Sequence, residues 1–373
     1  MQVEKLETHT IISEIAIHIQ NGFLNGRGTI NGTTITAIKS FSHPKYGELP
    51  YVSAQALRKW IRENFISYIP NNNIPGYYDR VQNTGKKTKK TIPLTNVDPV
   101  KSIEDDVFGY THPMPNHKEI IMQNKNKTRP NVVSLNRHAP LKTSILSPIP
   151  QTASIHHDSG YVHLPNDTPL PYSNQFVNTY YTYTSTLELH RIGVYNNIAD
   201  LIEIDETLIQ TYQKKQVLIK NPLKAENAEQ YQLTEPELIK RRLQVTEIYL
   251  KTILTLTGGA KTAQFLSDLT PKAIILILQK SANPRFMGIY ESNIGKLTIN
   301  VNELIKRIEE GVRNKDFLTN VYIGTRTNNV ENIKELTYTL KQHKELPVKI
   351  GSIGDVIHKF LEEVKGYYKK FEE

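Results

Sequence analysis

Residues 176–189 constrain the fold most strongly, because their side chains alternate between two sets along the chain. One side carries Tyr181, Tyr183, Ser185, Leu187 and Leu189, and the other carries Tyr180, Thr182, Thr184, Thr186 and Glu188. A period of two among β-branched and aromatic residues predicts a strand with one face on a core. The tyrosines could stack nucleobases, but their place in such a strand favours the core and its rim.

Other segments supply the remaining parts of a sheet covered by helices. Near-alternation of isoleucines predicts a first strand over residues 8–19, and the fully apolar run 273–278 is typical of a buried strand. Apolar residues at helical spacing predict helices over residues 235–255 and 353–368, the second docked by its apolar face. The sequence therefore predicts an α+β protein with helices packed on a sheet.

A short helix near residues 51–62 carries apolar and basic side chains on opposite sides. Ser53 is placed to cap it, after the strand-like residues 49–52. One face carries Ala54, Leu57, Ile61 and Phe65, and the other carries Gln55, Arg58, Lys59 and Arg62. The helix N-terminus adds backbone N–H groups and partial positive charge, which stabilise a phosphate. Taken alone, the helix fits a phosphate-binding element and an ordinary surface helix equally well.

The segment before this helix is rich in glycine and contains no acid. Residues 21–32 form a glycine-rich loop with Arg27 in its middle, and residues 33–41 predict a second strand that leads to the helix. No Asp or Glu occurs between Ile15 and Gly47. The N-terminal part of the chain is therefore predicted to fold in the order strand, loop, strand, helix.

Charge is distributed unevenly along the chain. The net charge is +9, and residues 80–142 carry 12 Lys and Arg against 5 Asp and Glu. Such a tract favours a polyanionic partner through counterion release, although a basic solvated surface explains it nearly as well. With 38% hydrophobic and 22% charged residues over 373 positions, a globular protein of two or three lobes is expected.

Two absences in the sequence limit the chemistry and the location. The chain has no cysteine, which excludes disulfides, Cys-based zinc sites and thiol nucleophiles and is compatible with a reducing compartment. The N-terminus lacks the pattern of a signal peptide, and no apolar span is long enough to cross a bilayer. We expect a cytoplasmic protein with no membrane partner.

Two long segments lack a sustained period. Residues 68–131 are polar and contain a lysine-rich run at 85–90, which predicts an insertion lobe with exposed basic loops. Residues 141–175 are punctuated by prolines and nearly uncharged. A loop of this length is usually functional or disordered, and we expect an extended arm.

Several short motifs allow more than one interpretation. Residues 256–262 resemble a P-loop, but Ala260 replaces its second glycine, so no nucleoside triphosphatase is predicted. Gly258 and Gly259 either end a helix or let the backbone approach a ligand, and Lys261 makes the second interpretation worth testing. His156, His157, Asp158 and His163 could hold a metal, and residues 104–106 a divalent cation. Solvated histidines are favoured instead, and for the acidic residues a solvated turn or pairing with nearby lysines.

Six segments occur in an order that is characteristic of one family: residues 24–27, 34–39, 49–58, 105–110, 137–144 and 174–189. The Ser-Ala-Gln-x-x-Arg helix that begins at Ser53 and the Asp-x-Phe-Gly-Tyr segment that ends at Tyr110 are the more specific of them. In these residues the chain resembles the DevR-type backbone subunit of type I CRISPR Cascade complexes, closest to type I-B. The resemblance extends from Thr8 to about Leu278.

The resemblance implies a fold shaped like a right hand. A palm with a modified RNA-recognition-motif (ferredoxin-like) fold would comprise residues 1–67 and 176–345. A helical fingers insertion would span 68–140, a thumb hairpin 141–175, and a C-terminal helix 346–373. Copies in the family stack along a guide RNA, and each thumb displaces one base at regular intervals while the other bases pair with target DNA.

The resemblance also implies the partners and the contact residues. The partners would be CRISPR guide RNA, the target DNA strand, further copies of the chain and other Cascade subunits, with no cofactor and no metal. One subunit must accept every guide sequence, so it would contact the backbone rather than read bases. Positions matching phosphate contacts are Ser53, Gln55, Arg58 and Arg62, with Asn25, Arg27, Lys39, Gly258, Gly259 and Lys261 as further candidates. Arg137 and His138, before the thumb, are candidates near the displaced base.

Two alternatives to this function remain open. Related backbone subunits of type III complexes cleave RNA with an acidic residue on the loop after the first strand. Because metal-assisted cleavage needs a carboxylate to hold the cation, the acid-free loop here favours a protein that is not an enzyme. The other alternative is a regulatory RNA-binding protein with no role in assembly.

Overall fold

The computed structural model describes residues 8–70, 81–84, 90–93, 97–113, 134–162, 168–198, 201–221, 223, 228–293, 295–326 and 329–370. Its α-helices within these residues are α1 (Ala54–Ser67), α2 (Ile103–Phe108), α3 (Glu206–Lys214), α4 (Glu235–Leu254), α5 (Val301–Arg313), α6 (Ile333–Gln342) and α7 (Ile353–Lys369). The helices predicted near residues 51–62, 235–255 and 353–368 are confirmed. Most of the predicted fingers lobe lies outside the described residues.

Strands occur along the whole of the described chain. In chain order they are β1 (Thr10–Gly22), β2 (Gly26–Thr29), β3 (Ile35–Ile38), β4 (Ser40–His43), β5 (Gly47–Pro50), β6 (Val81–Thr84), β7 (Lys90–Pro93), β8 (Tyr110–Pro113), β9 (Ser134–Arg137), β10 (Leu141–Thr143), β11 (Ser147–Pro148), β12 (Ser154–Val162), β13 (Leu170–Glu188), β14 (Val194–Ile198), β15 (Leu201–Ile202), β16 (Leu218–Asn221), β17 (Ala228–Leu233), β18 (Ala273–Gln279), β19 (Tyr290–Asn293), β20 (Lys296–Ile299), β21 (Val321–Thr325) and β22 (Val348–Ser352). The second strand expected over residues 33–41 is divided between β3 and β4.

A ten-stranded sheet organises the molecule. Its order is β2-β3-β13-β1-β18-β21-β22, with β10, β11 and β12 also paired to β13. Strand β1 lies antiparallel to both β13 and β18, so that Ile11 faces Leu187 on one side and Leu278 on the other. The alternation predicted for residues 176–189 is confirmed, because Tyr181 and Tyr183 are buried in the core.

Apolar side chains from β1 enter two different cores. Ile11 and Ile15 belong to the core that contains the apolar faces of α1, α4 and α7. Ile12 and Ala16 belong to the core that contains the apolar faces of α5 and α6. Successive strand residues point to opposite faces, so the central sheet is covered on both sides. The α+β class is confirmed, while the RNA-recognition-motif topology of a palm remains a prediction.

A smaller sheet is inserted between β13 and α4. Its order is β15-β14-β17-β16, and it packs with α3 around a separate core that includes Tyr195, Ile209 and Tyr231. Strand β22 lies parallel to β21 at the edge of the main sheet, directly before α7. Residues 346–373 therefore contain a strand as well as the expected helix.

Much of the described part of residues 141–175 forms strands, while the assignment of this segment as a thumb remains a prediction. Strands β10 and β11 pair with β13, and β12 pairs with it from Ser154 opposite Asn178 to Val162 opposite Leu170. Proline interrupts a ladder because it has no N–H group, which fits the division of this segment into several strands. The far end of the β12–β13 hairpin is exposed, with 66% of Tyr161 and 56% of Leu170 accessible to solvent.

The acidic residues 104–106 are buried, which corrects the expectation of a solvated turn or of pairing with nearby lysines. They lie in α2, whose N-cap is Ser102. Asp106 accepts hydrogen bonds from Arg137 Nη2 at 2.5 Å, from Arg241 Nη1 at 3.4 Å and from Gly193 N at 3.1 Å. Arginine can reach buried carboxylates with several donors at once, which lysine cannot. The cluster therefore has a structural role.

No helix within the described residues is both long enough and apolar enough to cross a membrane.

Candidate nucleic-acid interface

The N-terminus of α1 meets the glycine-rich loop that follows β1. Ser53 is the N-cap as predicted, and its Oγ accepts a hydrogen bond from Ala56 N at 3.4 Å. Asn25 Nδ2 donates to the same Oγ at 3.2 Å, and Lys39 N donates to Asn25 O at 2.7 Å. Three candidates from three segments, Asn25, Lys39 and Ser53, thus lie in one chain of contacts.

The loop at residues 258–261 joins this group. Ala260 N donates to Phe23 O at 2.9 Å, and Lys261 Nζ donates to Asn174 Oδ1 and lies 5.2 Å from the centre of the Phe23 ring. Gly259 has a φ of 108°, which favours glycine at that position. A Cβ on Gly258 would lie 2.5 Å from the Trp60 ring, so the absence of a side chain lets the loop pack closely against α1.

We call the resulting group of residues the candidate surface. It comprises Asn25, Arg27, Lys39, Ser53, Gln55, Gly258, Gly259 and Lys261. Arg27, Gln55 and Lys261 are exposed and Lys39 is partly buried. Within the described part of the chain, Lys39 forms no ion pair. The surface thus combines cations, amide groups and a helix N-terminus, which are the donors that bind phosphate oxygens.

Arg58 and Arg62 lie on the side of α1 that was predicted, but their side chains are engaged within the protein. Arg58 Nη1 donates to Leu141 O and its Nη2 to Phe108 O, each at 2.5 Å. Arg62 Nε lies 2.5 Å from Glu104 Oε1 in an ion pair whose two side chains are 18% and 5% exposed. Burial and the nearby Arg62 charge lower the pKa of Arg58. Charge reversal of the pair is therefore expected to disturb the fold as well as any RNA contact, contrary to the interpretation of this side as freely exposed.

Arg137 is corrected from a candidate contact to a core residue. Its side chain is fully buried between Asp106 and Glu203, at 2.5 and 3.2 Å. Its guanidinium also donates to the main-chain oxygens of Asp106, Arg191 and Val194. A buried guanidinium with this many partners has no surface to offer a nucleic acid. His138, the next residue, is exposed and remains a candidate.

Two of the histidines considered as metal ligands, His156 and His157, lie on β12. His156 stacks on Phe176 with ring centres 5.2 Å apart, and it shares a hydrogen bond with Ser154 at 2.9 Å. His163 lies outside the described residues. In the described ranges, no three His, Asp or Glu side chains are grouped to hold a metal ion.

Two features beside the candidate surface were missed at the sequence level. Glu48, just beyond the acid-free segment, accepts hydrogen bonds from Ser40 Oγ at 2.6 Å and from Ser42 Oγ. These bonds, together with the Arg27 charge, lower the pKa of Glu48. A row of rings also runs from Phe23 through Phe265 to Phe176, with centres 6.1 and 5.8 Å apart. The row of rings has no local sequence signal, because its three members come from separate segments, whereas Ser40, Ser42 and Glu48 lie within one short hairpin.

Comparison with known proteins places the chain. A family model described as CRISPR-associated negative auto-regulator DevR/Csa2 matches residues 19–297. No curated protein matches the sequence. Similar solved structures include a chain of a "CRISPR RNA-guided surveillance complex", 8% identical with a TM-score of 0.47 over 95% of this chain and 98% of that chain. Another, "CRISPR RNA-guided surveillance complex, pre-nicking", is 10% identical with a TM-score of 0.46 over 95% and 99%.

A third solved structure, the "Cryo-EM structure of the Type III-B Cmr-beta bound to cognate target RNA", is 12% identical with a TM-score of 0.27 over 50% of this chain and 49% of that chain. All three TM-scores are below 0.5. The family match covers most of the chain, from β1 into β20, and includes every residue of the candidate surface. The chain belongs to the DevR/Csa2 family of CRISPR-associated proteins.

Proposed function

We propose that this protein is a guide-RNA-binding backbone subunit of a type I CRISPR surveillance complex, nearest to type I-B. Copies would line the guide RNA, hold its phosphates without reading sequence, and leave bases free to pair with target DNA. The observation that carries the proposal is the convergence of Asn25, Lys39, Ser53 and residues 258–261 on one surface inside the family match. Its other partners would be further copies of itself and the remaining subunits of the complex.

Backbone contact is the recognition mode that these groups support. Lys39 and Lys261 supply charge, Asn25 and Gln55 supply amides, and the first turn of α1 supplies N–H groups. Contacts of this kind fix the position of a strand without distinguishing its bases. A subunit that must accept any guide sequence needs this property, since base pairing then supplies the specificity.

An RNA-cleaving role is the weaker alternative. Glu48 interacts with the charge of Arg27 in the glycine-rich loop, and its two oxygens accept hydrogen bonds from Ser40 and Ser42. A metal-assisted cut requires a cation held by carboxylates in contact with the strand. Asp105 and Asp106 are buried in α2, away from solvent. We therefore propose a protein that binds RNA without cutting it; cleavage of target RNA by the purified protein with a divalent cation would reverse this assignment.

The first prediction tests the candidate surface. Combined replacement of Arg27, Lys39 and Lys261 by alanine is expected to weaken binding of short RNA by about tenfold to a hundredfold at low salt. The slope of log affinity against log salt should fall by roughly one for each phosphate that the variant no longer neutralises. Fluorescence anisotropy of labelled RNA, measured over a series of salt concentrations and several unrelated sequences, gives both quantities.

The matched control for this variant removes equal charge elsewhere. Lys306, Lys334 and Lys341 are exposed on α5 and α6, helices that pack on the other face of the sheet. Their combined replacement by alanine should leave affinity and salt slope near the wild-type values. Equal reductions of affinity in both triple variants would show that net charge alone drives binding, and a strong preference for one RNA sequence would contradict backbone recognition.

The second prediction concerns assembly through the β12–β13 hairpin. Replacing residues 160–172 with an Asn-Gly turn joins the paired residues Ser159 and Ser173, whose hydroxyls lie 2.9 Å apart. The shortened protein should fold normally and bind short RNA, yet fail to form ordered filaments on long RNA in electron micrographs. If the shortened protein still forms filaments, the hairpin is not required for assembly. If the wild-type protein binds long RNA only as a monomer, the regulatory alternative is favoured.

A further inference from the structure

The β4–β5 hairpin presents an aromatic pair beside the candidate surface. The rings of Phe41 and Tyr51 lie 5.9 Å apart at 60°. Phe41 is 39% exposed, and Tyr51 is partly buried. A single exposed phenylalanine is ordinary on a protein surface. What distinguishes this ring is its position beside a second ring and a lysine that forms no ion pair within the described residues.

Strand pairing places that lysine on the same face as the rings. Ser40 pairs with Pro50 and Phe41 with Leu49, and the ladder continues as Tyr51 N donates to Lys39 O at 2.9 Å. Residues directly opposite each other in an antiparallel pair project to the same face. Lys39, Phe41 and Tyr51 therefore share one face, and Tyr51 stands two positions before the Ser53 cap.

The frame behind this face is held in place by short-range hydrogen bonds. Glu48 accepts from Ser40 and Ser42 on the opposite face of the hairpin. His43 Nδ1 accepts from Lys45 N at 3.1 Å and from Tyr46 N at 3.3 Å, which fixes the turn. A ring carried on such a frame loses little conformational freedom when a ligand stacks on it.

We propose that Phe41 and Tyr51 form a stacking platform for a nucleobase of the bound RNA, with Lys39 on the adjoining phosphate. This inference rests on the proposed function and adds a base contact to it. Single-stranded nucleic acid is bound by cations along its backbone and by aromatic rings under its bases, and stacking tolerates any sequence because every base has a π-face. Two rings provide enough contact area for one or two bases, whereas a stable protein–protein interface buries about 800 Å² of surface on each partner.

Photo-crosslinking and affinity together test the platform in the full-length protein. Wild-type protein bound to RNA containing 5-iodouridine should yield, on irradiation, an adduct on Phe41 or Tyr51 by mass spectrometry. Phe41→Ala should abolish the adduct at that position and weaken RNA binding about five- to tenfold. Phe41→Trp should restore both, because it keeps a ring, while Tyr338→Ala removes an aromatic side chain that is 66% exposed on α6 and should change neither.

The outcomes separate this inference from the proposed function. A wild-type protein that binds no RNA overturns both. Normal RNA binding with adducts only at other residues, and unchanged affinity in Phe41→Ala, overturns the platform alone. If Phe41→Ala prevents ordered assembly while leaving affinity and adduct formation at Tyr51 unchanged, Phe41 contacts a neighbouring protein, and a platform that includes Phe41 is wrong.

Discussion

Replacing Asp106 with alanine is expected to lower the free energy of unfolding by about 3–5 kcal/mol. The carboxylate is fully buried and accepts from Arg137, Arg241 and the main chain of Gly193. Its removal leaves the buried guanidinium of Arg137 with Glu203 as its remaining carboxylate partner. An incompletely compensated buried charge is among the most destabilising defects a protein can contain. Urea unfolding followed by circular dichroism measures the change.

The matched control breaks an exposed ion pair. Glu247 and Lys251 lie 2.7 Å apart on α4, with 45% and 55% of their side chains accessible. Glu247→Ala should cost less than about 1 kcal/mol, because solvent screens the pair. A reduction of similar size for Asp106→Ala would mean that the buried network relaxes or admits water.

Protein stability is expected to fall as pH rises from about 4.5 to about 8 because of one carboxyl group in the central sheet. Glu14 is 1% exposed on β1, and burial raises its pKa from 4.5 to about 8. Hydrogen bonds from Thr184 and the main chain of Gly288, with the Arg307 charge, oppose the rise without cancelling it. Such a shift corresponds to as much as roughly 5 kcal/mol between the two ends of the range.

The sign of this dependence follows from the proton count. Between pH 4.5 and 8 the folded protein keeps a proton on Glu14 that the unfolded chain has released, so raising the pH favours unfolding. Below this range both states are protonated, and above it both are ionised, so the contribution is constant. Glu14→Gln, which is neutral at every pH, should remove this part of the slope and be more stable than wild type at pH 8.

Urea unfolding of wild type and Glu14→Gln at pH 5, 6.5 and 8 measures the difference, and subtraction cancels every group common to both proteins. Glu237→Gln is the control, since Glu237 is 54% exposed on α4 and should leave the wild-type slope unchanged. If the difference in free energy of unfolding between wild type and Glu14→Gln is the same at all three pH values, Glu14 is ionised in the folded protein and its raised pKa is wrong.

Local patterns in the sequence correctly predicted the elements that depend on neighbouring residues. The period of two over residues 176–189, the apolar run 273–278 and the Ser53 cap all correspond to observed structure. Each signal lies within one element, where the spacing of side chains decides which of them face the core. For residues 141–175 the prolines indicated an extended arm, but they did not indicate the strands within it, because proline marks interruptions and the pairing of β10, β11 and β12 with β13 depends on the folded chain.

The sequence could not show which arginines are exposed. Arg58, Arg62 and Arg137 carry the charge that RNA contacts need, and no local pattern distinguishes them from Arg27 or Lys39. Their carboxylate and carbonyl partners are contributed by α2, β10 and the segment around Glu203, at sequence separations that no motif covers. Burial and ion pairing are properties of the folded chain, because they depend on which distant groups meet.

The sequence by itself determined the family, the α+β class and the segments that could hold a phosphate backbone, because motif order and side-chain period are written in neighbouring residues. Only the tertiary structure decided which cations remain at the surface. It joined Asn25, Lys39, Ser53 and residues 258–261, and it enclosed Arg137 between Asp106 and Glu203. Long-range packing decides which charged side chains are buried and which are exposed. A charge is buried where partners compensate the cost of its desolvation, and otherwise it stays in water.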